Sequence, residues 1–79
     1  MIRLWVDCNR CDEGSSFAIG IDHEKVPPEH LKVGEKVTLF ESGMECEAIL
    51  RRGKFYPWVA DIIPGTVRDG PENVGPEDA

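Results

Sequence analysis

The sequence predicts an all-β fold, and two observations support this prediction. Apolar and polar residues alternate with a period of two along several short segments, which is typical of strands that bury one face. No window of about eleven residues shows the spacing of an amphipathic helix. The chain has 79 residues, of which 41% are hydrophobic, so it can form one small domain with a thin core but not two domains.

Five strands follow from this alternation. Gly20 interrupts the second of them and predicts either a β-bulge or the close approach of another chain segment. Gly53 predicts a tight hairpin between the fourth and fifth strands. Pro57 has no N–H to donate to a neighbouring strand, so it must lie at an edge or a bulge. The predicted strands cover residues 2–7, 17–22, 36–40, 44–51 and 55–63.

The loop between the second and third strands contains two consecutive prolines. Residues 22–31 are too short and too interrupted for an α-helix, but Pro28 can begin a single 3₁₀ turn. Five short strands joined by one longer loop and several tight turns suit a small closed barrel, because closure leaves no strand edge exposed. We therefore predict a small five-stranded β-barrel.

The end of the chain differs in composition from the rest. Residues 64–79 hold one basic residue, four acidic residues and six glycines or prolines, with little apolar surface. Such a segment cannot bury enough apolar area to offset the conformational entropy that ordering removes. We therefore predict a folded domain over residues 1–69 and a disordered acidic tail over residues 70–79.

Charge and cysteine content indicate the cellular environment to expect. The formal net charge is −6, and no apolar run approaches the roughly 20 residues that a membrane-spanning helix needs. The first residues also lack the features of a signal peptide. Three cysteines cannot all pair within one chain, which favours thiols in a reducing compartment. We expect a cytoplasmic protein without membrane contact.

The sequence offers no recognisable catalytic set. His23 and His30 share one loop with several acidic residues, but neither has a predicted nucleophile or a converging carboxylate pair beside it. No glycine-rich phosphate-binding loop is present. We therefore predict a protein that is not an enzyme and that carries no cofactor.

One part of the chain resembles a known fold family. Residues 31–39 read LKVGEKVTL, and after a short turn residues 45–50 read ECEAIL. This pattern is similar to a segment of SH3-like small β-barrels, and the resemblance implies the same barrel architecture. Members of that fold bind peptides, RNA, DNA or other domains, so the resemblance implies binding without naming the ligand. The paired tyrosines of peptide-binding SH3 domains are missing, because Tyr56 is the only tyrosine.

Three aromatic residues are candidates for a peptide-binding surface. Trp5, Tyr56 and Trp58 could form a groove for an extended or proline-rich peptide, since aromatic rings bury a large area at little cost in entropy. The alternative is that these rings fill the thin core of a short chain. Binding of a protein or peptide is the favoured function, because a domain without a catalytic set acts through its surface.

A second candidate site is basic. Arg51, Arg52 and Lys54 surround the predicted hairpin turn and are followed by three aromatic residues. Bases that neutralise phosphate beside rings that stack on nucleobases are typical of single-stranded RNA binding. The negative charge of the whole chain opposes such binding by long-range repulsion. RNA binding is therefore the alternative function, and a solvated hairpin tip is the simpler interpretation.

The cysteines allow a third alternative, a small zinc-binding domain. Cys8 and Cys11 are spaced so that both thiolates could bind one metal ion, and Cys46 could join them. A structural zinc site needs four ligands, however, and no second pair with this spacing exists. We predict no metal site and interpret Cys8 and Cys11 as thiols in a turn, with Cys46 as a small buried hydrophobic residue.

Overall fold

The structure is a computed structural model that describes residues 1–12, 17–72 and 75. Within these residues the secondary structure is β-strands and short 3₁₀ turns, which confirms the all-β prediction. No helix in this part of the chain has the length and hydrophobicity of a membrane span. The strands are β1 (Arg3–Trp5), β2 (Ala18–Gly20), β3 (Lys36–Glu41), β4 (Met44–Arg52), β5 (Trp58–Ile62) and β6 (Arg68–Asp69).

The six strands form one open sheet. Their order is β1-β3-β4-β5-β2, and β6 pairs with β4 beside the end of β5. β1 runs parallel to β3, whereas the other pairs are antiparallel. β6 was not expected from the sequence, because a strand of two residues is too short to show alternation. A closed barrel of five strands stays a prediction.

The two ends of the open sheet are linked by the chain that follows β1. A turn begins at Asp7, whose carbonyl oxygen accepts a hydrogen bond from the Arg10 N–H at 3.0 Å. The Arg10 carbonyl then accepts a bond from the Gly20 N–H at 2.7 Å, and Cys11 forms an isolated bridge with Ile19. Residues 10 and 11 therefore lie beside β2, although β1 itself pairs with β3.

The main apolar cluster lies on one face of the sheet, and on β4 burial alternates as predicted. On β2, β3 and β5, by contrast, neighbouring residues on both faces are buried, Phe40 and Val59 among them. On β4 the side chains of Cys46, Ala48 and Leu50 are fully buried, while the residues between them are only partly buried. Trp58 at the start of β5 joins this core with 7% of its surface exposed. The buried cluster consists of Leu4, Val6, Ile19, Ile21, Val26, Val37, Leu39, Cys46, Ala48, Leu50, Trp58 and Ala60.

The predicted turns are present, with one addition. A 3₁₀ turn spans Pro28–His30, as expected, and another spans His23–Lys25. Gly53 donates its N–H to the Pro57 carbonyl and closes the loop between β4 and β5. β5 begins only after Pro57, three residues later than predicted, because residues 53–57 form the loop.

The glycine in β2 marks a close approach of another segment. A methyl group on Gly20 would lie 2.5 Å from Cγ of Tyr56, so only glycine leaves room for this ring. The approach brings the loop of residues 53–57 against the edge strand β2. This contact places Tyr56 beside the segment that follows β1.

The beginning of the predicted tail contacts the sheet. The Gly70 N–H donates to the Gly43 carbonyl, and the Gly43 N–H donates to the Pro71 carbonyl at 2.7 Å. Both bonds extend the pairing of β6 with β4 into the turn between β3 and β4. Residues 73–74 and 76–79 lie outside the described residues, so disorder of the tail there stays a prediction.

Candidate functional site

The structure separates the three aromatic residues that were predicted to form one surface. Trp5 and Tyr56 are partly exposed, whereas the Trp58 side chain is almost completely buried in the core. The guanidinium of Arg52 also stacks on the Trp58 ring, 4.6 Å from its centroid. Trp58 is therefore not available as a surface contact, and only two of the three rings can take part in an exposed site.

A small pocket lies beside Trp5, between the end of β1 and the end of β2. We call it the seam pocket because it is located where the two ends of the open sheet approach each other. Its volume is about 180 Å³, which is below the roughly 300–1,000 Å³ of ordinary small-molecule sites and suits a single side chain. The lining residues are Trp5, Val6, Asp7, Arg10, Gly20, Asp22 and Lys25.

Tyr56 contacts two of the residues that line the seam pocket. Its ring packs against Gly20, and the Arg10 guanidinium lies 4.8 Å from the ring centroid in a cation–π contact. Arg10 and Gly20 both line the pocket. The pocket therefore joins the two partly exposed rings, Trp5 directly and Tyr56 through its neighbours.

The charges of the seam pocket are balanced. Asp7 and Asp22 supply two carboxylates, and Arg10 and Lys25 supply two bases. One oxygen of Asp7 accepts a hydrogen bond from the Asn9 backbone N–H at 3.0 Å and so fixes the turn after β1. Trp5 and Val6 supply apolar side chains to the lining. Because the charges of the lining cancel, the pocket as a whole favours an uncharged group.

A buried carboxylate holds the loop that carries Tyr56. Asp12 is 1% exposed and accepts hydrogen bonds from three consecutive backbone N–H groups, those of Lys54 at 3.0 Å, Phe55 at 2.6 Å and Tyr56 at 3.2 Å. The bond from Lys54 is the main reason that the pKa of Asp12 lies below its ordinary value. We call this arrangement the Asp12 clamp.

The sequence contained no signal for the Asp12 clamp. Asp12 and its three partners are separated by 42 to 44 positions, and an aspartate near a glycine is an ordinary turn residue. The clamp is important for the site because it fixes the backbone of Tyr56.

The basic residues at the hairpin do not form one surface. Arg51 and Arg52 are neighbours on β4, so their side chains point to opposite faces of the sheet. Arg51 donates to the carboxylate of Asp61, and Arg52 lies on the ring of Trp58. Lys54 is exposed in the loop beyond them. The side chains at the three positions predicted for RNA binding thus lie in different surroundings and do not form one basic surface.

The cysteines lie in or near the core. Burial is the main cause that raises the pKa of the Cys8 thiol to about 12, and the neighbouring Glu41 is a further cause. Burial also raises the pKa of Cys46, and Cys11 directs its thiol to the Cys8 carbonyl at 3.5 Å. Metal binding requires thiolates. Among residues 1–12, 17–72 and 75, no group of three or more potential ligands is arranged around a metal position.

Comparison with known proteins gave no match to a family model, to a curated protein or to a solved structure. The seam pocket combines the partly exposed Trp5 with a lining of balanced charge, next to a loop that a buried carboxylate holds in place.

Proposed function

We propose that this protein is a non-catalytic binding module that takes a peptide segment of a partner protein into the seam pocket. The single observation that supports this function best is the pocket beside the partly exposed ring of Trp5. Aromatic side chains contribute much contact area and lose little conformational entropy on binding, so they are common anchors of peptide recognition.

Two properties favour a peptide over other ligand classes. The pocket of about 180 Å³ suits one side chain, and a larger partner would gain its remaining contacts from the surface around the pocket. RNA binding is disfavoured by the net charge of −6 and by the engagement of Arg51 and Arg52 with groups of the protein itself.

The same proposal includes the finer description of the fold, an SH3-like barrel of five main strands. It is supported by the hydrogen bond from Gly20 to Arg10 and by the bridge between Cys11 and Ile19. These contacts bring the chain after β1 against β2 and reduce the opening between the ends of the sheet. A barrel with one such opening offers a ligand a defined cleft.

The proposed function is tested by selecting peptides from a phage-displayed library of random segments of about twelve residues. We expect selected peptides whose affinity falls about tenfold or more, equivalent to about 1.4 kcal/mol, when Trp5→Ala removes the indole. Lys25→Glu, on the exposed rim, should also alter binding without affecting the core. Phe55→Ser is the matched control, because Phe55 is an apolar side chain that is 67% exposed and does not line the pocket.

Circular dichroism establishes that each variant is folded before its affinity is compared. Peptides that bind Trp5→Ala and wild type equally but lose affinity for Phe55→Ser would move the site to the hairpin loop. Failure to select any peptide, together with retardation of a single-stranded oligoribonucleotide at low salt, would replace the proposal by RNA binding.

A further inference from the structure

We infer that the seam pocket is one part of a longer site, in which a partner peptide pairs as an added strand with the outer edge of β1. One bulky apolar side chain of the peptide then enters the pocket, and basic residues flank it. This inference rests on the proposed function and specifies both the geometry of binding and the chemistry of the partner.

The hydrogen bonds of β1 show which backbone groups face outward. The Val6 N–H donates to the Phe40 carbonyl at 3.0 Å, and the Ile2 carbonyl accepts a bond from a β3 amide at 2.9 Å. Successive residues of a strand direct their N–H and C=O groups to opposite edges. The even-numbered residues therefore bond to β3, and Arg3 and Trp5 direct their backbone groups to the opposite edge.

No described strand pairs with this outer edge. β1 is the first strand in the order of the sheet and pairs with β3 alone. The chain leaves this edge at the turn that begins at Asp7, and residues 10 and 11 then pair with β2. A strand edge with unpaired N–H and C=O groups is a template for another strand, and β1 has no proline or bulge to prevent such pairing.

The seam pocket lies beside this edge, because Trp5, Val6 and Asp7 all belong to its lining. Trp5 supplies both an outward-facing backbone and part of the lining, and Gly20, Asp22 and Lys25 supply another part. In recognition by strand addition, backbone hydrogen bonds supply affinity and a pocket for an alternate side chain supplies specificity. A peptide paired with Arg3 and Trp5 would place one side chain at the mouth of the pocket.

The chemistry of the pocket defines that side chain and its neighbours. The two carboxylates and two bases of the lining cancel in formal charge, so the pocket favours an uncharged group such as leucine, methionine or phenylalanine. The bases Arg3, Arg10 and Lys25 lie near this edge, but the chain as a whole carries −6, and this long-range field accelerates the association of positively charged partners. An apolar residue with lysine or arginine on both sides is complementary to both features.

The test uses positional-scanning pools of acetylated, amidated hexapeptides added to the full-length protein labelled with nitrogen-15. We expect pools with a central leucine, methionine or phenylalanine and basic flanks to shift the NMR signals of the Trp5 indole and of the Arg3 and Trp5 backbone amides. Pools with acidic flanks or a central alanine should shift them less. A short oligoribonucleotide serves as the nucleic-acid probe.

Strand addition is then tested on the best peptide by N-methylation of one backbone nitrogen at a time. Methylation at alternate positions should weaken binding about tenfold or more, because only every second N–H faces β1, and the positions between them should tolerate the methyl group. This comparison changes the peptide and leaves the folding of the protein unaffected.

The outcomes distinguish the inference from the proposed function. If peptides shift Trp5 but N-methylation has no alternating effect, strand addition is wrong while peptide binding at the pocket stands. If acidic flanks bind better than basic flanks, the partner chemistry is wrong. If no peptide pool shifts Trp5, or only the oligoribonucleotide does, both the inference and the proposed function are overturned.

Discussion

Two regions of the molecule use carboxylates in opposite ways. In the Asp12 clamp, one buried carboxylate accepts bonds from three backbone N–H groups. On the outer face of β1, β3, β4 and β6, acidic and basic side chains alternate with separations of 2.7 to 3.6 Å. We call this second group the charge ladder, and its members in spatial order are Arg3, Glu45, Arg68, Glu47 and Lys36.

The difference shows that burial, more than the number of charged groups, decides their energetic weight. Exposed ion pairs gain little, because water screens them and long side chains lose freedom. A buried carboxylate would be very unfavourable without partners, and its removal would also leave the three backbone N–H groups unpaired. The ladder holds three bases and two acids, so the acidic excess of the chain lies elsewhere.

The largest effect is expected from Asp12→Ala. It removes the acceptor of three consecutive backbone N–H groups and releases the loop of residues 53–57. We expect the melting temperature to fall by about 10 °C or more, measured by circular dichroism. Asp12→Asn keeps one acceptor oxygen and should lie between wild type and Asp12→Ala. A melting temperature within about 2 °C of wild type for Asp12→Ala would contradict the importance of the clamp.

The dependence of stability on pH tests the contribution of the buried Asp12 carboxylate separately from that of the surface charges. Because the pKa of folded Asp12 lies below its unfolded value, its contribution to stability is complete above about pH 5 and is lost as the pH falls through the folded pKa. The difference in urea midpoint between wild type and Asp12→Asn should therefore shrink below about pH 4. Glu35 and Glu47 also have lowered pKa values, but both residues are present in wild type and in Asp12→Asn, so their contributions cancel in the difference between the two urea midpoints. A constant difference would show that the Asp12 charge is not involved.

The smallest effect is expected from Arg68→Gln in the charge ladder. This change removes the ion pairs that the exposed Arg68 forms with the partly exposed Glu45 and Glu47. We expect the melting temperature to fall by about 2–4 °C at low salt. In about 1 M NaCl the difference should almost disappear, because the Debye length is then about 3 Å. Arg68→Lys is the control that keeps the charge. A loss as large as that of Asp12→Ala would remove the contrast between the two regions.

Much of the fold could be predicted because its signals are local. The alternation around Leu4 and along residues 44–51 identifies strands with one buried face, and Gly53 marks the hairpin. The candidate site was only partly predictable. Trp5 and Tyr56 are near the seam pocket, but Trp58 has the same residue type as Trp5 and is buried. The identity of a residue does not say which face of a strand packs against the core.

Local patterns in the sequence are sufficient for the all-β class, for five of the six strands in the described residues, for the hairpin and for the 3₁₀ turn at Pro28–His30, because periodicity and turn residues act over a few positions. The strand order, the parallel pairing of β1 with β3, the position of the seam pocket and the partners of Asp12 follow from the packed fold alone. These features depend on contacts between segments far apart in the chain. Such contacts form only when the whole core packs, and no local pattern encodes them.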